Sequence, residues 1–391
     1  MRGKTIRQKN DRSSLILFAT YINGYAFKPK DRGEIGLPII RIQDLTGNAY
    51  DLGFYDGEYP EKIEINYGDI LISWSASLGV YIWNRGKALL NQHIFKVVFD
   101  KVDIDKKYFV YAVQKKLDEM KMKTHGATMK HIVKKDFDAI LIPYPSLNEQ
   151  MEIANNLDKV SRVIVAYKKE LQLLDNLVKA RFVEMFGDVK DNPHNYEIFL
   201  IKTLLKSCEA GWSANGTQRE KKDNEIAVLK VSSVTKGYFI PEECKVLDDQ
   251  ANIKKYVTPE KGDLIFSRAN TREMVGATAV IMEDYPLLIL PDKLWKIKFK
   301  SSVNVFYMKY VLSSKSIRNE FSAASTGTSG SMYNVSMDKF KSIKIPVAPI
   351  ELQNQFADFV RAVDKSKVIT ITTLKKLTFI RNICYNNSKD F

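Results

Sequence analysis

Gly68-Asp69-Ile70-Leu71-Ile72-Ser73 and Gly262-Asp263-Leu264-Ile265-Phe266-Ser267 are one phrase written twice, 194 residues apart. Other phrases return with it. Pro38-Ile39-Ile40-Arg41-Ile42-Gln43-Asp44-Leu45 is answered by Ala227-Val228-Leu229-Lys230-Val231-Ser232-Ser233-Val234 at an offset of 189. Met129-Lys130-His131-Ile132-Val133 is answered by Met332-Tyr333-Asn334-Val335-Ser336 at 203, and the same offset carries Phe137 onto Phe340 and Ile142-Pro143 onto Ile345-Pro346. A drift from 189 to 203 is what insertions in loops between retained elements produce. The chain therefore reads as two copies of one unit, each roughly 190–200 residues long, and such a repeat decides the architecture.

Each copy has the same internal order. Short apolar runs bounded by Gly, Pro, Asn and Asp come first, as in Leu37–Ile42, Ile63–Ile65 and Ile70–Trp74, and predict strands. A long helical stretch closes the copy. In the first, Leu157, Val160, Ile164, Tyr167, Leu171, Leu174 and Val178 recur with spacings 3, 4, 3, 4, 3, 4, a heptad stripe with charged and amide residues between. The second copy places Val360, Val363, Lys367, Thr370, Leu374, Leu377 and Arg381 on the same stripe, weakened by Lys367 and Thr370. A helix from Leu147 to Phe186 would run about 60 Å at 1.5 Å per residue. So narrow a stripe on so long a helix needs a second helix. The reading is an α+β chain whose two long helices pack as an antiparallel coiled coil and hold two β-rich domains apart. The alternative is that each helix packs on its own domain, which calls for a broader apolar face. Along the chain this gives a first domain over 1–145, a central helix over 146–187, a second domain over 188–348 and a C-terminal helix over 349–391.

Composition sets the class. The 391 residues carry 60 Lys plus Arg against 46 Asp plus Glu, a net charge of +14. With 45% hydrophobic and 27% charged residues, this is the balance of a soluble globular protein of two or three domains. No apolar stretch approaches the roughly 18–20 residues that span a bilayer, and Met1-Arg2-Gly3-Lys4 lacks a signal peptide's apolar region, so no membrane and a cytoplasmic location are expected. Cys208, Cys244 and Cys384 are too few and too scattered for a disulfide framework or a CxxC metal site. The positive charge favours a polyanionic partner over a merely well-solvated basic surface only weakly, and no run of five like charges exists, so any basic surface must be assembled by the fold.

The chain resembles the specificity subunits of type I restriction–modification enzymes over nearly its whole length. The resemblance rests on Tyr21-Ile22-Asn23-Gly24-Tyr25-Ala26-Phe27 followed by Pro38–Ile42, on Gly68–Ser73, on Leu90-Asn91-Gln92-His93-Ile94-Phe95, and on Gly126-Ala127-Thr128-Met129-Lys130-His131-Ile132. Its strongest piece is Ile142-Pro143-Tyr144-Pro145-Ser146-Leu147-Asn148-Glu149-Gln150, repeated loosely as Ile345-Pro346-Val347-Ala348-Pro349-Ile350-Glu351-Leu352-Gln353. The resemblance implies two target-recognition domains, each reading half of a bipartite double-stranded DNA site, with the helices setting the spacing. It also implies two methyltransferase subunits that modify adenine and two translocating restriction subunits. S-adenosylmethionine, ATP and Mg would be held by those partners and not by this chain. Arg268-Ala269-Asn270-Thr271-Arg272 stands where the first copy has Trp74-Ser75-Ala76-Ser77-Leu78, and Pro291–Trp295 replaces the Gln-His pair. The two halves should therefore read different sequences.

Catalytic signatures are missing. Asn192-Pro193-His194-Asn195 lacks the second proline and the aromatic of an amino-methyltransferase loop. Gly327-Thr328-Ser329-Gly330-Ser331 has no following lysine for a phosphate loop, and Pro291-Asp292 has no Glu-x-Lys after it. His125 and His131 are poorly spaced for a metal, and His93 reads as a hydrogen-bonded packing residue. Binding remains, and base edges are read by donors and acceptors on loops held by a rigid scaffold. The candidates in the first copy are Lys28, Lys30, Arg32, Arg41, Gln43, Trp74, Ser75, Thr128 and Lys130. Those in the second are Trp212, Ser213, Asn215, Thr217, Gln218, Lys230, Ser232, Ser233, Arg268, Asn270, Arg272, Thr328 and Ser329. Two alternatives stay open: a recognition subunit of a type IIB-like enzyme, and a non-enzymatic scaffold or RNA-binding adaptor. The latter would be expected to carry aromatics interleaved with Lys and Arg on a sheet, and no such run is found.

Overall fold

The computed structural model describes residues 12–47, 51–123, 132–324 and 333–387, with side chains at all of these but 122, 123, 324 and 385–387. The chain is a mixed α and β protein and divides into two compact units, Met1–Lys168 with Thr372–Phe391, and Lys169–Ile371. Compactness thus groups the chain otherwise than a linear partition at 145, 187 and 348 does. Each unit takes one β-rich domain plus a part of the central helix, Leu147–Phe186, and a part of the C-terminal helix, Ile350–Asn387.

In the first unit a four-stranded antiparallel sheet runs in the order Thr20–Asn23, Ile94–Val98, Ile70–Ser73, Gly79–Ile82. A second sheet runs Gly53–Tyr55, Leu37–Ile40, Ala88–Leu90, Glu64–Ile65, with the middle pair parallel. Leu37–Ile40 stops short of the expected Ile42. Arg41 begins a short helix there, where the Asp44 carboxylate accepts the Arg41 backbone N–H at 2.8 Å. The second unit repeats the plan. Its first sheet runs Leu205–Ala210, Leu294–Phe299, Leu264–Ser267, Thr278–Val280. Its second runs Gly216–Thr217, Cys244–Leu247, Ala227–Leu229, Leu288–Ile289, with the last pair parallel. Only the outermost strand of the second sheet is differently placed.

The repeated phrase explains itself. Ile70–Ser73 and Leu264–Ser267 are buried at all four positions, so both faces of the strand are covered and the sequence reads as an unbroken apolar run. Ile70 and Ile72 join one apolar cluster while Leu71 joins another. Leu264 and Phe266 split from Ile265 in the same way. Phe137 and Phe340 lie fully buried in the matching clusters. Gly68 and Gly262 both sit at φ +89°, where a side chain would be strained. The aspartate after each closes the turn: Asp69 accepts the Asn66 N–H and Asp263 the Glu260 N–H, both at 2.8 Å. A lysine from the neighbouring strand then pairs with it, Lys96 at 3.2 Å and Lys296 at 3.3 Å.

The second repeated phrase anchors the long helices. Gln150 is 1% exposed; its side chain accepts the Asp105 N–H at 2.9 Å and donates to the Pro145 carbonyl at 2.8 Å. Gln353 is fully buried and does the same with Asn304 at 2.8 Å and Ala348 at 2.6 Å. Tyr108 and Tyr307 donate to the carbonyls of Pro143 and Pro346, each at 2.9 Å.

The stripe on the helices faces inward as the spacing requires. Leu157, Ile164 and Val178 are buried, and Val160, Tyr167, Leu171 and Leu174 are half-buried, while Val163, Val165, Leu173 and Leu177 between them are exposed. On the C-terminal helix Val360 and Val363 are buried and Leu374 and Leu377 half-buried. Within the second unit the two helices run antiparallel. Thr370 meets Glu170 at 3.3 Å, Lys367 meets Asp175 at 2.7 Å, and the Phe356 ring meets Phe182 at 5.4 Å. Lys367 and Thr370, poor core residues by type, both have partners in this seam. Thr370 is 3% exposed and hydrogen-bonded to Ser366 and Glu170, and Lys367 bridges Asp175 and Asp364. The alternative packing is also present at one end: Phe182, Phe186 and Phe356 enter the domain core beside Tyr307.

Candidate nucleic-acid interface

One place in each unit gathers the candidates around a shared backbone frame. The Gly24 N–H donates to the Ile94 carbonyl at 3.1 Å and the Tyr25 N–H to Leu90 at 2.8 Å. Gly211 and Trp212 repeat this with Leu294 and Leu290 at 3.3 and 2.9 Å. A Cβ on Gly24 would fall 2.0 Å from the Asn91 carbonyl oxygen, and one on Gly211 1.9 Å from that of Leu290; hence the glycines. Just past the central strand, the Trp74 N–H donates to His93 at 3.3 Å and its carbonyl accepts from Ile132 at 2.8 Å. Arg268 stands in the same frame, donating to Lys293 at 3.0 Å and accepting from Val335 at 2.9 Å. The chain thus holds position 74 and position 268 identically and places a different side chain on each.

The side chains part ways from there. Trp74 is half-buried, stacks on Phe95 at 5.7 Å, meets His93 edge-on at 4.9 Å, and donates its Nε1–H to Asn23 at 3.3 Å. Ser75 is half-buried, and its carbonyl accepts the Ser73 hydroxyl at 3.1 Å. His93 is a packing residue, but not a hydrogen-bonded one at Nδ1, which is buried without a partner among the described residues while its backbone sits at φ +72°. Arg268 donates from Nε to the Asp292 carbonyl at 2.9 Å and from Nη2 to its carboxylate at 3.2 Å, and Ser213 donates to the same carboxylate at 2.9 Å. Asp292 occupies the place of Gln92. Asn270 pairs with Tyr333 across a two-stranded ribbon, and Arg272 is exposed in the turn that follows. Thr128, Lys130, Thr328 and Ser329 lie outside the described residues, as do His125 and His131.

A second group forms around the paired start of the short helices. The Arg41 carbonyl accepts the Asp44 N–H at 3.0 Å and the Lys230 carbonyl the Ser233 N–H at 3.0 Å, so these two positions are again equivalent. Arg41 is ion-paired to Asp44 at 3.1 Å and to Asp51 at 3.5 Å, and Arg32 to Asp51 at 3.1 Å. Lys230 is bound to Glu243 at 2.7 Å and to Gln218 at 3.1 Å, and Ser232 donates to Glu243 at 2.7 Å. Those two bonds, Lys230 first, hold the Glu243 carboxyl below the usual carboxylate range. Ser233 is buried. Thr217 donates to Asp248 at 2.7 Å, and the Asn215 carbonyl accepts the Asp248 N–H at 3.4 Å. Trp212 packs half-buried against Val228, Leu247 and Ile289. Lys28, Lys30 and Gln43 are exposed, and Lys28, Lys30 and Arg272 have no ion pair among the described residues.

Sequence spacing named candidate donors but not the carboxylates that hold several of them: Asp44, Asp51, Asp292, Glu243 and Asp248. A guanidinium already held in a fork loses less side-chain entropy when it meets a ligand, but must exchange one acceptor for another. Among the described residues no group of three His, Cys, Asp or Glu is placed to hold a metal ion, and no helix is long and apolar enough to cross a membrane.

A duplicated domain with two long helices, presenting unlike side chains from like frames, defines the class. The type I restriction modification DNA specificity domain family matches residues 17–175 and again 193–378, and the chain belongs to it. A type I restriction enzyme specificity subunit of Escherichia coli, EcoBI, is 30% identical over 171 residues, covering 43% of this chain and 36% of its own length. Another, MjaVIII of Methanocaldococcus jannaschii, is 23% identical over 321 residues, covering 78% and 74%. The crystal structure of the type I restriction–modification S subunit from M. genitalium shares the fold, with a TM-score of 0.52 at 14% identity over 97% of this chain and 96% of that one.

Proposed function

We propose that the chain is the DNA-reading subunit of a type I restriction–modification complex and works in the cytoplasm without catalysis of its own. Each unit would read one half of a bipartite site. Two methyltransferase subunits and two restriction subunits would supply the chemistry, together with S-adenosylmethionine, ATP and Mg. The observation that carries this reading is the equivalence of Trp74 and Arg268: one backbone frame, built twice, with different recognition chemistry on each.

In this mechanism the sheets do no more than fix the frames, and the exposed ends supply contacts. An arginine in position 268 can present two parallel donors to the O6 and N7 of guanine, a contact worth about 1–3 kcal/mol of discrimination. Asp292 and Ser213 keep that fork from sampling other rotamers. Trp74, lacking such donors, offers an apolar edge suited to a thymine methyl group. The exposed Lys28, Lys30 and Arg272 supply contacts to phosphate that add affinity without selectivity. The test is to map methylated adenines genome-wide with and without the gene. A bipartite motif that disappears on deletion is the expected result, and an unchanged set of methylated sites overturns the reading.

A further inference from the structure

In the second unit the helix Lys315–Ala324 lies against the turn that follows Asn270. Gly276, at φ +79°, lets it seat: a Cβ there would stand 2.5 Å from the Phe321 ring and 3.4 Å from Arg318 Cδ. From that seat Arg318 donates to the Glu273 backbone carbonyl, and the Ser322 hydroxyl donates to the Arg272 carbonyl at 3.3 Å. Helix and turn thereby enclose an open recess of about 350 Å³ lined by Arg272, Glu273, Arg318, Asn319 and Ser322.

The charge in this recess is unbalanced. Arg318 is half-buried, and no carboxylate lies within ion-pair distance of it among the described residues. Burial pulls its guanidinium below the ordinary arginine value, yet arginine stays charged in proteins. Holding one backbone carbonyl uses one of its five N–H donors. A neutral amide would serve that purpose, so the remaining donors and the charge are surplus to packing. Arg272 adds a second guanidinium from the exposed side and the Asn319 amide a further donor type. Glu273 contributes its carbonyl to Arg318, and its carboxylate is the one negative group lining the recess among the described residues.

We propose that this recess is a phosphate clamp. Arg318 and Arg272 together hold one backbone phosphodiester of the DNA and so set the depth at which the turn and position 268 enter the groove. The inference rests on the DNA-reading function above. It adds Arg318 as a contact residue that the sequence did not single out, and it gives the phosphate contact of Arg272 a partner on the neighbouring helix.

The test uses the full chain and two labelled duplexes of equal length, one carrying the mapped bipartite motif and one lacking it, titrated from about 50 to 200 mM salt. Arg318→Gln keeps an amide donor for the Glu273 carbonyl and removes the charge; Arg272→Gln removes the partner charge. Each variant should weaken binding to both duplexes by the same factor. Each should also lower the slope of log affinity against log salt by up to about 0.9, the value for one phosphate. Glu273→Gln should tighten both complexes. If Arg318→Gln lowers the melting temperature, Arg318→Lys, which keeps the charge, should retain the wild-type slope while Arg272→Gln and Glu273→Gln still move it in opposite directions. Unchanged slopes in a folded Arg318→Gln overturn the clamp, and so does a loss confined to the motif-bearing duplex. Wild-type chain that binds neither duplex in a salt-dependent way sinks the DNA-reading function itself, a result distinct from either.

Discussion

Replacing Gln353 by Leu removes the buried side chain that, beside the more exposed Asn354, ties the start of the C-terminal helix to the helix beginning at Val305. Leucine has nearly the same volume, so no large cavity opens, and the loss is confined to hydrogen bonding. Two bonds vanish at once, from the Asn304 N–H at 2.8 Å and to the Ala348 carbonyl at 2.6 Å. With Gln353 fully buried, water cannot replace the lost partners. Each backbone group left unpaired in such a site costs about 1–3 kcal/mol, so the second unit should lose about 2–6 kcal/mol. Urea denaturation followed by tryptophan fluorescence would read this as a lower midpoint for the transition that reports Trp295, buried in the same unit. Gln353→Glu sharpens the test. An ionised carboxylate can still accept from Asn304 but faces the Ala348 carbonyl with no proton to give, so folding should raise its pKa. The raised pKa means that the bond to Ala348 is present below the unfolded glutamate value and is lost as pH rises through the folded one. This variant should therefore approach wild-type stability in acid and fall away from it toward neutrality. A Leu variant within about 0.5 kcal/mol of wild type, or a Glu variant with no extra pH dependence, would refute the anchoring role.

Three further outcomes follow from the same geometry. Changing Leu171 and Leu174 together to Lys puts two charges on the half-buried seam, at several kcal/mol if they stay buried, and should abolish adenine modification in cells, whereas a fully methylated genome would mean that the seam does not set the spacing. Glu260 is held down to about 2 by hydrogen bonds from Lys296 and then Lys298, so its stabilisation is present above the ordinary glutamate value near 4.5 and is lost as pH falls toward 2; an acid-unfolding curve of Glu260→Gln should be flatter in that window. Arg268→Ala should relax the second half of the methylated motif and leave the first intact, which sequencing of modified sites would show, and a change in both halves would contradict separate readers.

The architecture was legible because it was written twice. The Gly-Asp phrase and the Pro-to-Gln phrase are local: each needs its residues at fixed short spacing, so both copies keep them in register with the strand and helix they serve. The heptad stripe was equally plain on the central helix. On the other helix the partners of Lys367 and Thr370 went unread, because Asp175 and Glu170 lie some two hundred residues away. Partners brought in by tertiary folding hid the site as well, at much shorter separations. Nothing near Arg268 in sequence announces Asp292, and nothing near Arg41 announces that Asp51 would cap it. Tyr108 and Tyr307 form a further repeated pair that went unread, since their offset of 199 matters only once both hydroxyls are seen on proline carbonyls.

The division of the chain into units also bears on how it is made. The first unit comprises Met1–Lys168 and the segment from Thr372 onward, so its two contributions leave the ribosome about 200 residues apart. At translation rates of about 5–20 residues per second, that interval is about 10–40 s. The second unit is drawn from one continuous stretch, Lys169–Ile371, and can close as soon as it emerges. The order of completion is therefore the reverse of the order of synthesis: the core of the first domain, drawn from residues between Leu15 and Ala154, can form early, but the unit as a whole waits for the segment from Thr372 onward.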